Sequence, residues 1–163
     1  MRPAIFAGVL VVAGAALEGA LAGSGVRARL AELRRPPFSP PFPVWVAIGV
    51  LYYVVCFGVA YRLASERPVE APRLLGLAML VAMVLANAFW NYAFFRRRDL
   101  RLTLHVSVVY AALAVALGIA LVATDSLTAL WFLPYLLYLP YATWWTRAVR
   151  AMNTPAMGAA ERG

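Results

Sequence analysis

Long stretches without a charged residue are the feature that most restricts how this chain can fold. Leu74 to Phe95 gives 22 consecutive uncharged residues, and Val44 to Tyr61 gives 18. A helix needs roughly 20 mostly apolar residues to cross the hydrocarbon core of a membrane. The composition agrees, because 64% of the chain is hydrophobic and 13% is charged, against about 45–50% and about 25% in soluble domains. The chain is therefore predicted to be a membrane protein.

Five stretches of this kind predict an all-α membrane protein, a bundle of five transmembrane helices in a single domain that covers residues 1–163. The first stretch runs past the core length of a signal peptide, which is about 7–15 residues, so we predict a retained helix. A polar turn is expected from Arg62 to Arg73, and a frayed tail from Ala148 to Gly163. The predicted helices cover residues 3–23, 43–63, 74–95, 102–124 and 127–147.

The connection between the first two predicted helices, residues 24–42, is unusual in two ways. Its first part, Val26 to Leu33, has apolar residues at helical spacing, which predicts a short amphipathic helix on the membrane surface. Its second part is stiff, because five of the twelve residues from Arg34 to Trp45 are proline and proline fixes the backbone angle φ. We call residues 24–42 the lid and expect it to be structured.

The distribution of arginine predicts the orientation in the membrane. Five spans place eleven arginines at the lid face, and four, Arg2, Arg62, Arg67 and Arg73, at the other face. Because cytoplasmic segments carry the excess of positive charge, we expect the N-terminus outside, and the C-terminus and the lid on the cytoplasmic side. The arginines punctuate apolar runs instead of forming a basic face. Membrane lipids are therefore their expected partners, and nucleic acid is not.

One polar and aromatic stripe marks the third predicted helix. Asn87, Trp90, Asn91 and Phe94 stand at i, i+3, i+4 and i+7, so they share one face. Two amides that faced lipid would be costly, and the stripe should therefore face the bundle interior. It either lines a ligand cavity or joins helices through hydrogen bonds. Aromatic faces on the second and fifth helices offer matching walls for a planar polycyclic ligand.

Several motifs resemble the TspO/MBR family, the tryptophan-rich sensory and translocator proteins. The run from Arg35 to Pro41, Arg-Pro-Pro-Phe-Ser-Pro-Pro, is similar to the family's Lys-Pro-x-Trp-x-Pro-Pro segment. The third helix resembles its Asn-x-x-Trp-x-x-x-Phe-Phe motif, from Asn87 to Phe95. Pro134 to Thr143 resembles the run in its last helix, and Tyr53 and Asn153 match single family positions. The resemblance extends in order over nearly the whole chain.

The resemblance implies a membrane protein that binds porphyrins or sterol-like lipids for transport or stress-linked sensing. Porphyrin or haem would be a ligand, and no bound cofactor is expected. A homodimer is left open. Leu139, Tyr141 and Arg147 fit a loose sterol-recognition pattern. The residues expected to bind the ligand are Phe38, Trp45, Tyr53, Asn87, Trp90, Asn91, Phe94, Tyr135, Tyr138 and Ala142.

Two other functions stay open. Some members are reported to degrade protoporphyrin through pocket tryptophans, but Phe38, Pro43 and Gly49 stand where the family has tryptophan, which argues against an enzyme. The second is a proton-coupled transporter that uses Glu18, the charge inside the first span. Glu18 could instead stay protonated and hydrogen-bond a neighbouring helix.

The sequence offers little for metal binding or hydrolysis. His105 could ligate haem iron or sense pH, but an interfacial polar residue is the simpler interpretation. The single cysteine, Cys56, lies inside an apolar run and is expected to act as a small buried hydrophobe. We find no paired carboxylates and no Ser/His/Asp arrangement. No catalytic residue and no metal site is therefore predicted.

Overall fold

The computed structural model describes residues 2–65 and 70–154, and its regular structure there is entirely helical. This confirms the prediction of an all-α fold. A π-helical turn, Tyr92–Arg96, follows directly on the fourth helix. The six α-helices are α1 (Pro3–Ala22), α2 (Val26–Glu32), α3 (Phe42–Ser65), α4 (Ala71–Asn91), α5 (Leu100–Thr124) and α6 (Ser126–Asn153).

Four helices within the described residues are long and apolar enough to cross a membrane: α1, α3, α4 with its π turn, and α5. With 28 residues, α6 is the longest helix of this part of the chain. Its tyrosines, tryptophans and two internal prolines make it less apolar than the other four. Length supports α6 as a fifth span and hydropathy does not, so the count of five stays a prediction.

The predicted helix ends are shifted at several places. α4 begins at Ala71 instead of residue 74, because Pro72 fits the first turn of a helix, where no N–H bond is needed. α6 continues to Asn153 instead of ending near Arg147, since Val149 is fully buried against the lid. Counted with its π turn, α4 ends at Arg96, and the remaining ends of the five predicted helices differ from the predicted ones by at most two residues. Residues 66–69 and 155–163 lie outside the described residues. They include Arg67, Arg162, a third of the predicted turn and most of the predicted tail.

Two aspartates set the starts of α5 and α6. The Asp99 carboxylate accepts hydrogen bonds from the backbone N–H groups of Arg101 at 3.0 Å and Leu102 at 2.9 Å. The Asp125 carboxylate accepts from the N–H of Thr128 at 3.2 Å. Such N-caps satisfy donors that the first helical turn leaves free. The pKa of Asp99 is accordingly lowered, first by the Leu102 bond and then by the Arg101 bond and nearby arginines.

The five long helices form a closed ring in the order α1, α4, α5, α6, α3, and α3 also contacts α4 across the ring. The larger apolar core fills the part of the bundle away from the lid. A smaller cluster fixes α2 and the lid to the ends of α4 and α6 through Leu30, Leu33, Phe94, Trp145 and Val149. We call the half that contains the lid the lid end, and the half that contains Arg62 and Asp125 the packed end.

Candidate ligand-binding cavity

A cavity of about 500 Å³ lies at the lid end. Residues of α2, of the π turn and of all five long helices line it. Its volume falls within the roughly 300–1,000 Å³ that is usual for small-molecule sites. Nine of the ten residues predicted to bind the ligand line this one cavity: Trp45, Tyr53, Asn87, Trp90, Asn91, Phe94, Tyr135, Tyr138 and Ala142. The structure brings these nine together, and their binding of a ligand stays a prediction.

The tenth residue, Phe38, lies elsewhere. Its side chain is 89% exposed, and its φ of 67° is in the left-handed region. Phe38 occupies the third position of a turn closed by the Ser39 N–H, which donates to the Pro36 carbonyl at 3.3 Å. Positive φ at that position, after proline, is typical of a type II turn, and here the side chain is directed away from the cavity. Phe38 contributes its backbone instead, since its carbonyl accepts from the Tyr141 hydroxyl at 3.0 Å.

One wall of the cavity is a fixed aromatic stack. The rings of Trp90 and Phe94 are nearly parallel, with an angle of 7° and centroids 5.0 Å apart. The indole N–H of Trp90 donates to the Ser107 hydroxyl of α5 at 2.8 Å, which holds the ring in place. Trp145 packs against both Phe94 and Trp45, with centroids 5.8 and 4.9 Å apart. The stack therefore presents a rigid, flat surface.

The π turn explains why both neighbouring phenylalanines join this wall. The Arg97 N–H donates to the Tyr92 carbonyl at 2.9 Å, five residues earlier, so the turn holds one extra residue. Phe94 is fully buried, and Phe94 and Phe95 both line the cavity. In a regular helix, consecutive side chains would point about 100° apart. The predicted helix over residues 74–95 continues to Arg96 in the structure, but its last turn, after Asn91, is π-helical.

A polar cluster in the cavity wall joins three helices. The Glu18 carboxyl of α1 accepts at Oε2 from the Tyr53 hydroxyl at 2.6 Å and from the Asn87 amide at 2.7 Å. The Asn91 side chain also interacts with this carboxyl and donates to the Asn87 carbonyl at 3.0 Å. These bonds agree with the interpretation of the amides and of Glu18 as helix-joining groups. Because the four residues also line the cavity, they remain available to a ligand.

Two buried polar atoms beside the cavity have no hydrogen bond of normal geometry to a described residue: the Trp45 indole nitrogen and the Tyr52 hydroxyl oxygen. Both residues line the cavity. Leaving a buried polar group unsatisfied costs about 1–3 kcal/mol. A ligand with matching polar atoms would recover part of that cost.

The lid is attached to α6 by side-chain hydrogen bonds. The Trp145 indole N–H donates to the Ser39 hydroxyl at 2.9 Å. At the end of α6, the Asn153 side chain accepts from the Arg34 N–H at 3.0 Å and donates to the Arg34 carbonyl at 2.8 Å. With the bond from Tyr141, these contacts hold the proline-rich part of the lid in one position.

Positive charge surrounds the rim of the cavity. The Arg27 guanidinium lies 5.9 Å from the ring centroid of Phe42, which lines the cavity. Arg96 donates to the Ala20 carbonyl at the end of α1, at 3.5 Å. Glu32 forms ion pairs with Arg29 at 3.4 Å and Arg98 at 3.5 Å. The rim can therefore attract an anionic group on a ligand.

The residues of the sterol-recognition pattern do not share one surface. Leu139 is buried and lines the cavity, Tyr141 holds the lid, and Arg147 is exposed. His105 is exposed on α5 and does not line the cavity. A role for either feature in ligand binding stays a prediction.

Sequence reasoning missed several lining residues, among them Ser107, Tyr110, Trp145 and, on α2, Leu30. Trp145 had a signal, because it follows Tyr138 and Ala142 at i+7 and i+3 on the same helix face. Ser107 and Tyr110 had none, since they lie in a uniformly apolar helix. Tyr110 contributes its hydroxyl, which is hydrogen-bonded to that of Tyr135.

The comparisons with known proteins agree with this architecture. No curated protein sequence gives a significant match. The family model of the TspO/MBR family matches residues 6–151, which include the lid and nearly all of the five long helices. This chain therefore belongs to the TspO/MBR family.

Proposed function

We propose that this membrane protein binds a planar, hydrophobic polycyclic ligand beneath its lid, for transport or stress-linked sensing. A tetrapyrrole such as protoporphyrin is our first choice, and a sterol-like lipid is the second. The observation that carries the proposal is the aromatic cavity of about 500 Å³. Family membership supports it, because ligand binding with transport or sensing is a general family property.

The shape of the wall favours a flat ligand. Trp90 and Phe94 offer two stacked rings, and Ser107 and Trp145 restrict their movement. A planar macrocycle would bury apolar surface against this stack and gain the offset or edge-to-face contacts that aromatic pairs prefer. A flexible lipid chain would use the same volume with less specific contact.

Polar atoms at the lid end favour acceptors along one edge of the ligand. The buried indole N–H of Trp45 can only donate. Arg27 adds positive charge beside Phe42 at the rim. Carboxylate groups, such as the propionates of a tetrapyrrole, would satisfy the indole and pair with the guanidinium. We therefore propose that the acidic edge of the ligand faces the lid.

The binding test is a titration in neutral detergent in the dark. Protoporphyrin should quench tryptophan fluorescence saturably in the wild-type protein. Asn87→Leu and Trp90→Leu should weaken binding about tenfold or more, because each removes a wall contact. Phe89→Leu is the matched control, since Phe89 lies next to Trp90 on α4 but is exposed and does not line the cavity. Absence of saturable quenching, or equal affinity in all four proteins, would refute the proposal.

The alternative of porphyrin degradation makes a different prediction. Of the tryptophans that such a reaction could use, Trp90 and Trp145 line the cavity, whereas Trp144 is 45% exposed and does not. A photochemical enzyme should form product in light, lose it in Trp90→Leu and Trp145→Leu, and keep it in Trp144→Leu. If protoporphyrin binds and mass spectrometry finds no product after illumination, the result would support binding and exclude degradation under these conditions.

We also propose that the lid faces the cytoplasm, with the N-terminus outside. The excess of arginine at the lid end supports this orientation. A reporter fused to the C-terminus should be active only if it works in the cytoplasm. Activity of a reporter that works only outside would contradict the orientation without affecting the binding proposal.

A further inference from the structure

Among the described residues that line the cavity, Glu18 is the only acidic one. A carboxyl at such a position is unusual, because an ionisable group inside a membrane is costly and tends to mark a functional site. The other polar lining groups are hydroxyls, amides and indoles, which carry no charge. Glu18 is therefore the one group there that can distinguish ligands by charge.

The bonds that hold the carboxyl leave an acceptor position for another partner. Tyr53 and Asn87 both donate to Oε2, at 2.6 and 2.7 Å. The Asn91 side chain also interacts with the carboxyl. A carboxylate offers about four acceptor positions over its two oxygens, so a further donor can be accommodated without breaking the cluster.

No cation of the described chain neutralises Glu18. The ion pairs found within residues 2–65 and 70–154 involve other acids, Glu32, Asp99 and Asp125. Arg96, at the same end of α1, bonds instead to the Ala20 carbonyl. Because a hydrogen bond between a charged donor and a carboxylate is roughly twice as strong as one between neutral groups, a positively charged group in the cavity would find a favourable position beside Glu18.

The neighbouring hydroxyl points to the same conclusion from a separate observation. Tyr52 is only 5% exposed and lines the cavity, and its hydroxyl has no hydrogen bond of normal geometry to a described residue. Its ring packs on that of Tyr53, with centroids 4.9 Å apart. A hydroxyl that can accept a hydrogen bond from a ligand therefore lies on the residue next to the one that anchors Glu18.

We propose that Glu18 determines ligand specificity, and that the cavity prefers planar ligands with a protonated nitrogen over neutral ligands of the same shape. The nitrogen would donate to the Glu18 carboxylate while the ring lies against the stack of Trp90 and Phe94. This inference rests on the proposed ligand-binding function and names the chemical class of that ligand more narrowly. This preference is compatible with acceptor groups on the opposite edge of the ligand, because those groups would face Trp45 and the rim of the cavity.

The test compares two tricyclic probes near neutral pH in neutral detergent. Proflavine is cationic under these conditions, and acridine is uncharged with a similar planar shape. We expect the wild-type protein to bind proflavine about tenfold more tightly than acridine. Equal affinities in the wild type would overturn the inference, and this comparison depends on no variant. If acridine and protoporphyrin also fail to bind, the ligand-binding function itself fails.

Variants then assign the preference to Glu18. Glu18→Gln should remove the preference, so that proflavine and acridine bind with similar affinity, and Glu18→Asp should restore much of the preference. Glu32→Gln is the matched control, because it removes one negative charge from the lid end outside the cavity. Proflavine preference that survives in Glu18→Gln, or that is lost equally in Glu32→Gln, would contradict a role for this carboxyl.

Discussion

The two ends of the bundle differ in how completely their buried polar groups are hydrogen-bonded. At the packed end, two guanidinium nitrogens of Arg62 contact the Asp125 carboxylate at 2.9–3.1 Å, and the Thr128 hydroxyl donates to it at 2.7 Å. At the lid end, the Trp45 indole and the Tyr52 hydroxyl lack such partners and a cavity replaces close packing. The contrast indicates that the packed end stabilises the fold, while at the lid end a cavity for a ligand replaces close side-chain packing.

The largest expected effect comes from two glycines that differ in free space. A Cβ at Gly14 of α1 would lie 2.6 Å from a buried Val84 methyl group, whereas a Cβ at Gly49, which lines the cavity, would meet nothing within 4 Å. Gly14→Leu should lower the free energy of unfolding by about 3 kcal/mol through overpacking. Gly49→Leu should leave stability nearly unchanged and weaken protoporphyrin binding by narrowing the cavity. Thermal unfolding and the protoporphyrin titration should be measured on both variants. Equal stability and equal affinity in the two would contradict the difference between the two sites.

The next effect tests the packed end alone. Asp125→Ala removes the N-cap of α6 and the ion pair with Arg62, and it should cost about 1–2 kcal/mol of unfolding free energy. Ligand affinity should not change, because Asp125 does not line the cavity. A loss of affinity without a loss of stability would show that the two ends are not independent.

A smaller effect is expected at the lid. Asn153→Ala removes both hydrogen bonds to Arg34, and about 0.5–1.5 kcal/mol per bond predicts ligand release at least threefold faster. Thr154→Ala is the control, since its hydroxyl bonds only within α6, to the Arg150 carbonyl. Stopped-flow dissociation of protoporphyrin measures the difference. Equal release rates in the two variants would mean that these bonds do not hold the lid closed.

The smallest effect is a dependence on pH at the packed end. Burial raises the pKa of Asp125. The hydrogen bonds from Thr128 and Arg62 and the charge of Arg62 together lower it by more, so the pKa of the folded state lies below its ordinary value. The stabilisation is therefore complete above the unfolded pKa of about 4 and is lost as pH falls through the folded pKa. The difference in melting temperature between wild type and Asp125→Ala should therefore be smaller near pH 3 than near pH 7. A constant difference would contradict the assignment.

Periodicity was enough to predict one side of the cavity. Asn87, Trp90, Asn91 and Phe94 share a helix face, and the cost of amides in lipid directs that face inward. The all-α fold followed from the apolar stretches in the same way. Both inferences use only the geometry of a single helix and the apolar environment of the membrane, so they do not depend on how the helices are arranged.

Contacts between distant parts of the chain could not be predicted in this way. The bond from Tyr53 to Glu18 joins two helices whose relative register the sequence does not encode locally. Phe38 was assigned to the cavity, but the positive φ of its turn directs the side chain outward. The π turn at Tyr92–Arg96 also lacks a periodic signal, although it decides that Phe94 and Phe95 both line the cavity.

The central claim is that the ligand lies in the cavity at the lid end and not on the lipid-facing surface. The most direct measurement is an experimental structure of the protein with protoporphyrin, prepared in the dark. We predict density for the macrocycle against Trp90 and Phe94, with its carboxylates toward Trp45 and the rim. Density for the ligand only on exposed helix faces, with the cavity filled by side chains, would contradict the account.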